Sequence, residues 1–257
     1  MVALKRLQIN LKNASDLCDM NVSEDLSRVW KDVWNALEPD KSWLTNAAKC
    51  DCIQKKLSYF NSQHGNSSQH IDQFIKALSR GTALVQAAIE WQNPAIGQSE
   101  TRSLNDKLRW HQWRLVIAYS GFEIASKALM MDKWKRQVEK EMYERFLEKC
   151  LLPDYKPIES PRDKPKLEKW LDKEEGALAT FLGLTSGDRK AIERWLVQSQ
   201  SVDSWCEAYK LAKALRNASA HGFLLPTKIG EWGLKEGFLR LTDDLAKIVI
   251  AGLSKLA

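Results

Sequence analysis

Apolar residues recur every three or four positions through most of this chain, the spacing of helices with one buried stripe. The first clear series is Leu26, Val29, Trp30, Val33, Trp34 and Leu37. It follows the cap signal Asn21-Val22-Ser23-Glu24 and stops at Glu38-Pro39-Asp40. A second helix is expected over residues 41–60, then a polar, Gly-containing loop from Ser62 to Gln69. Ile71, Phe74, Ile75, Leu78, Leu84, Val85, Ala88 and Ile89 predict a third helix, with Gly81 as a weak point. Residues 2–11 fit neither period and are expected as a short strand or a frayed helix.

Asn93 to Glu100 reads as a linker. A strongly apolar helix is expected from Leu104 to Leu129, running on through the charged stretch 132–149, where Trp134, Val138, Met142, Phe146 and Leu147 keep one face apolar. Pro153, Pro157, Pro161 and Pro165 exclude a helix and predict an extended connection. Short helices are expected around 166–175 and 187–198, a long one from about Val202 to His221, and a last one over about 234–256. The break between the last two contains Gly222, Pro226 and Gly230. No internal repeat is visible. The pattern predicts an all-α fold.

Composition sharpens this picture. With 257 residues the chain can bury a core without staples. Gly 12 and Pro 7 are low counts, which favours helices over turn-rich β folds. Five cysteines do not suggest a secreted disulfide framework. No apolar run near the N-terminus resembles a signal peptide, and Ile248-Val249-Ile250-Ala251-Gly252-Leu253 is too short for a bilayer. A soluble, cytoplasmic protein with no membrane partner is expected. The net charge is +6. Residues 132–175 cancel to zero, whereas residues 204–257 hold 8 basic and 5 acidic residues. No block of like charge marks a nucleic-acid arm.

Chemistry concentrates in Leu215-Arg216-Asn217-Ala218-Ser219-Ala220-His221-Gly222. At 100° per residue, Arg216, Asn217 and His221 share one helical face with Lys210 and Lys213, and Tyr209 falls there too. The apolar residues Ala208, Leu211, Ala212, Leu215 and Ala218, with Trp205 beside Ala212, fall elsewhere, as a stripe opposite that face. Such a face suits a phosphodiester. Arg presents a fork of donors that matches phosphate oxygens, and an imidazole moves protons near neutral pH. Asn217 and His221 stand four apart, so the amide is expected to orient the imidazole. No acidic metal-ligand cluster accompanies them, so neither a metal nor another cofactor is implied. Arg-Asn-x3-His arises by chance roughly 0.008 times in a chain of this composition, which sets it above a loose Arg-x4-His match. The ordinary alternative is a solvated basic face whose His simply ends a helix.

Arg216, Asn217 and His221, near the end of the penultimate long helix, resemble the HEPN superfamily motif. The helix Trp113-Arg-Leu-Val-Ile-Ala-Tyr-Ser-Gly-Phe-Glu-Ile-Ala-Ser-Lys127 is similar to the first core helix of such domains. The resemblance covers about residues 103–257, and the Pro-rich insertion is longer than in minimal members. It implies a helical bundle over 98–257, with residues 1–97 as an unassigned helical extension. It further implies a metal-independent endoribonuclease of the toxin or phage-defence kind, working as a homodimer with RNA as substrate and a cognate antitoxin or regulatory protein as a further partner. In that setting Arg216, Asn217 and His221 are catalytic, Lys210 and Lys213 bind RNA, and Glu123 and Lys127 support the site. Glu123 is expected either to pair with Lys127 or to hold Arg216 across the bundle. Members that have lost activity imply the alternative, a non-catalytic helical module that binds a partner protein or a nucleotide.

Weaker signals remain. Cys50 and Cys52 with His64 and His70 have poor zinc spacing. Cys18, Cys150 and Cys206 read as structural thiols. Trp110, His111 and Trp113 form an aromatic patch that reads as core rather than as a base-stacking surface. Trp30 and Trp34 read as core too.

Overall fold

A computed structural model describes residues 21–37, 44–61, 67–91, 104–130, 140–161, 167, 169 and 186–257. Its helices are α1 (Val22–Leu37), α2 (Ala47–Leu57), α3 (Ser68–Glu90), α4 (Leu104–Met130), α5 (Lys140–Lys149), α6 (Ser186–Ile192), α7 (Trp205–Ala220), α8 (Pro226–Glu231) and α9 (Lys235–Leu253). A π-helical turn over Glu193–Val197 continues α6. Among the described residues, strand-like pairing is limited to a bridge between Ile158 and Val202, on the extended connection that carries Pro153, Pro157 and Pro161. The fold is all-α, and no described helix is long and apolar enough to cross a membrane. The readings at 2–11, 93–100, Cys18, His64, Trp134 and Pro165 lie outside the described residues, as does most of 166–175.

The chain forms two compact units, and the boundary expected at 97/98 lies outside the described residues. One unit takes the described residues of Met1–Gln86, Gly121–Tyr155 and Ala246–Ala257, the other those of Ala87–Ser120 and Lys156–Leu245. Helices α3, α4 and α9 each contribute residues to both.

In the first unit, α1 buries Leu26, Val29, Val33 and Leu37, four positions on one helical stripe. Trp30 and Trp34 flank that stripe, half-buried, with ring centroids 5.9 Å apart, so they are its margin rather than its core. Gly81 is no weak point. Helix α3 runs through it, and α4 crosses it at Gly121 so closely that a Cβ on Gly81 would stand 2.7 Å from Ala125 N. Only glycine permits that approach of two backbones. Phe60, Phe122, Tyr143 and Phe146 form a ring cluster, with Phe146 5.9 Å from Phe60 and 6.2 Å from Phe122. Carbonyls at or just beyond helix ends are taken up by side chains. Asn61 Nδ2 donates to Met130 O (2.9 Å) and Lys56 Nζ to Leu256 O (2.6 Å).

In the second unit, Trp195, Trp232 and Phe238 are fully buried. Arg114 donates from Nε to Ala88 O (2.8 Å) and from Nη2 to Ile89 O (3.0 Å), closing the C-terminal turn of α3. His111 on α4 is 6% exposed, and its Nδ1 has no hydrogen-bond partner. Burial, then Lys235 and Arg114, push its pKa below the ordinary 6.5. The folded imidazole therefore stays neutral where the unfolded one takes up a proton. The unfolded state binds more protons as the pH falls through about 6.5, so His111 costs stability there. His111→Gln and His111→Leu are each expected to flatten the fall in Tm between pH 7.5 and 5.5. An unchanged slope in both, measured by thermal unfolding, rules His111 out as the cause.

Candidate functional site

Helix α7 is set by its two ends. Ser204 caps the start: its Oγ accepts from Glu207 N–H (3.2 Å), while Glu207 Oε2 accepts from Asp203 N–H (3.0 Å). These two bonds begin the helix at Trp205, so Val202 lies outside it, in the bridge to Ile158. At the far end His221 is the cap residue, and its N–H donates to Asn217 O (3.1 Å). Gly222 follows at φ +74°, in the left-handed region that glycine enters without strain. The chain turns there, and Leu224 N–H returns to Ala218 O (2.9 Å).

Between these ends the helix buries Ala208, Leu211, Ala212, Leu215 and Ala218 of the expected stripe, whereas Trp205, at the first position of the helix, is only half-buried. It also buries Tyr209 and Ala214. Tyr209 lies on the face of Arg216, so that face is not simply solvated. The Tyr209 ring stacks on Tyr119 of α4, centroids 6.3 Å apart with planes 14° off parallel. The Arg216 guanidinium carbon then sits 5.3 Å from the Tyr119 centroid, a cation over an aromatic face.

Arg216 Nη1 donates to Asn217 Oδ1 (2.8 Å), and Asn217 Nδ2 donates to Asp188 Oδ2 (2.8 Å). A cationic donor on one side and a carboxylate on the other leave a single sensible orientation for the amide. This corrects the expected role of Asn217. Its amide bridges Arg216 to Asp188 rather than orienting His221. The reason is charge: hydrogen bonds to a guanidinium and a carboxylate are stronger than those between neutral groups. Asp188 also stands 3.4 Å from Lys213 Nζ, which takes Lys213 into the same network. The Asp188 side chain is 5% exposed, so the Asn217 amide and Lys213 stand where water would otherwise solvate it. Lys210 is half-buried on the same helix, and His221 is exposed at its end.

Asp188 is the site residue that sequence reasoning missed. It lies in the first turn of α6, where an acidic residue needs no further explanation, and nothing local ties it to residue 217. Glu123 belongs to the other unit. It accepts from Lys127 Nζ (2.8 Å), one turn along α4, and from Tyr143 Oη (3.4 Å).

Of the aromatic patch on α4, His111 is buried and Trp110 half-buried, but Trp113 is 50% exposed. Cys50 is buried and Cys52 exposed, so the two do not face one point. Burial pushes the Cys150 thiol up to about 12, which keeps it protonated and unreactive. Among the described residues no three His, Cys, Asp or Glu side chains gather as a metal site requires. No protein-family profile, curated protein or solved structure matches the chain.

Proposed function

We propose that the chain is a metal-independent endoribonuclease of HEPN type, acting at a site shared by two copies. The observation that carries this reading is a held Arg216 and an exposed His221 at the end of the same helix. Arg216 is held by the Asn217 amide and the Tyr119 ring, while His221 stands five residues on, at the end of the helix, with its imidazole in reach of solvent. A guanidinium pre-positioned in this way stabilises charge as it develops on a phosphate, without reorganising at the moment of reaction. An exposed imidazole exchanges protons with a bound strand.

The reaction is attack of a ribose 2′ oxygen on its own phosphorus. One imidazole takes the 2′ proton as the O2′–P bond forms. A second gives a proton to the 5′ oxygen as the P–O5′ bond breaks. The products are a 2′,3′-cyclic phosphate and a free 5′ hydroxyl. One chain supplies one such imidazole in this region, and a partner copy supplies the other. Asn217 and Asp188 are positioning residues that act through Arg216, and Lys210 and Lys213 add positive charge beside the strand.

RNA incubated with the protein in excess EDTA is expected to be cut, leaving 2′,3′-cyclic ends. The same sequence made with 2′-deoxyribose is expected to stay intact. Absence of EDTA-resistant cleavage, or cleavage that survives both Arg216→Ala and His221→Ala, rejects the proposal in favour of a binding module.

A further inference from the structure

The His221 ring does not stand alone. Its centroid lies 6.3 Å from that of Phe223, with the two planes inclined at 48°. Phe223 is 42% exposed, although a phenyl ring gains most by burial. The turn accounts for its place. Leu224 is 2% exposed, its N–H bonds Ala218 O (2.9 Å), and its carbonyl accepts from Gln112 Nε2 (2.6 Å). Gly222 at φ +74° sets the direction in which the chain enters the turn. Phe223 thus lies between His221 and a Leu224 anchored by two hydrogen bonds, with part of its ring open to solvent.

Resting on the nuclease reading above, we infer that Phe223 is a stacking platform for an unpaired base of single-stranded RNA, next to the phosphate that His221 faces. Every base has a π-face, so one exposed ring serves any sequence. The same helix fits that occupant: Arg216 carries positive charge for a phosphate, and the imidazole lies against the ring that would hold the base. In a duplex the bases are stacked on one another and paired, so the ring selects loops and single strands. The competing occupant of an exposed ring is a second copy of this chain, which would hide Phe223 in an interface.

The test uses the full chain and a fluorescent twelve-nucleotide 2′-O-methyl RNA of mixed sequence, whose 2′ oxygen has no proton to lose and so resists cleavage. Phe223→Leu keeps apolar bulk but removes the π-face, and is expected to weaken binding about tenfold. Phe223→Trp is expected to bind as the unaltered protein does. A duplex of the same length is expected to bind equally to all three. Sedimentation mass should be the same in all three proteins. Equal affinity for Phe223→Leu, no binding by the unaltered chain, or a lower mass in Phe223→Leu each overturns the platform. Cleavage of unmodified RNA, measured in parallel, separates the two readings. Ring-dependent binding without cleavage keeps the platform and rejects the nuclease. Cleavage with ring-independent binding does the reverse.

Discussion

His221→Ala is expected to lower EDTA-resistant RNA cleavage by about 10²–10⁴-fold, the usual worth of a positioned proton-transfer group. Thermal unfolding should stay within about 0.5 kcal/mol of the unaltered protein, because the imidazole is exposed and the cap bond it leaves behind is made by the backbone. Asp188→Ala tests the opposite combination. It deprives the Asn217 amide of its acceptor and Lys213 of its counter-charge, in a place where the carboxylate is 5% exposed. An unmade bond at such a site costs about 1–3 kcal/mol, so stability and activity should fall together. Activity assays and denaturant unfolding on the same preparations distinguish the two patterns. Equal activity in His221→Ala and the unaltered protein removes His221 from the chemistry. A loss of activity that merely tracks unfolding in both variants makes the network structural.

Gly121→Ala is expected to destabilise the protein, against the local preference of helices for alanine. Propensity alone favours alanine by about 1 kcal/mol at a helix interior. At Gly121 the added Cβ would stand 2.6 Å from Gly81 O and 2.8 Å from Val85 N, both backbone atoms that no side-chain rotation can remove. The two helices must part, and the contacts beside the crossing, among them Ala125, loosen with them. Overpacking of this kind costs about 1–3 kcal/mol, and each kcal/mol lowers Tm by about 2–4 °C in a chain of this size. Gly187→Ala is the control, since a Cβ there meets nothing within 4 Å. A Gly121→Ala protein as stable as the control would show that the crossing is looser than its geometry.

The stripe of α7 was legible because one helix contains all of it: Ala208, Leu211, Ala212, Leu215 and Ala218 follow from a 3.6-residue period. Tyr209 was misplaced for the complementary reason. Its angle on the helix was right, but what buries it is Tyr119, ninety residues earlier, and no local pattern announces that stacking. Gly81 failed in the same way, since propensity sees one helix and the close approach belongs to two. Asp188 was invisible as a partner because its link to Asn217 spans 29 positions through a side-chain bond. The start of α7 is different. Ser204 and Glu207 stand at capping-box spacing, a local signal that would have moved the expected start from Val202 to Trp205. The Arg216–Asn217–His221 motif was found on its spacing. What the structure adds is which neighbour the amide holds.

The way the two units share the chain also decides which fragments are worth making. A piece beginning near residue 98 keeps the whole Arg216 network, yet it removes α1 to α3 from the first unit while retaining that unit's other segments. Gly121 then loses Gly81, Phe146 loses Phe60, Met130 O loses Asn61 and Leu256 O loses Lys56. Apolar helix faces and buried carbonyls would be stripped of cover at once, which favours aggregation over a working half. Failure of such a fragment to act on RNA would report its folding, so the chemistry of His221 has to be judged in a chain that keeps α1 to α3.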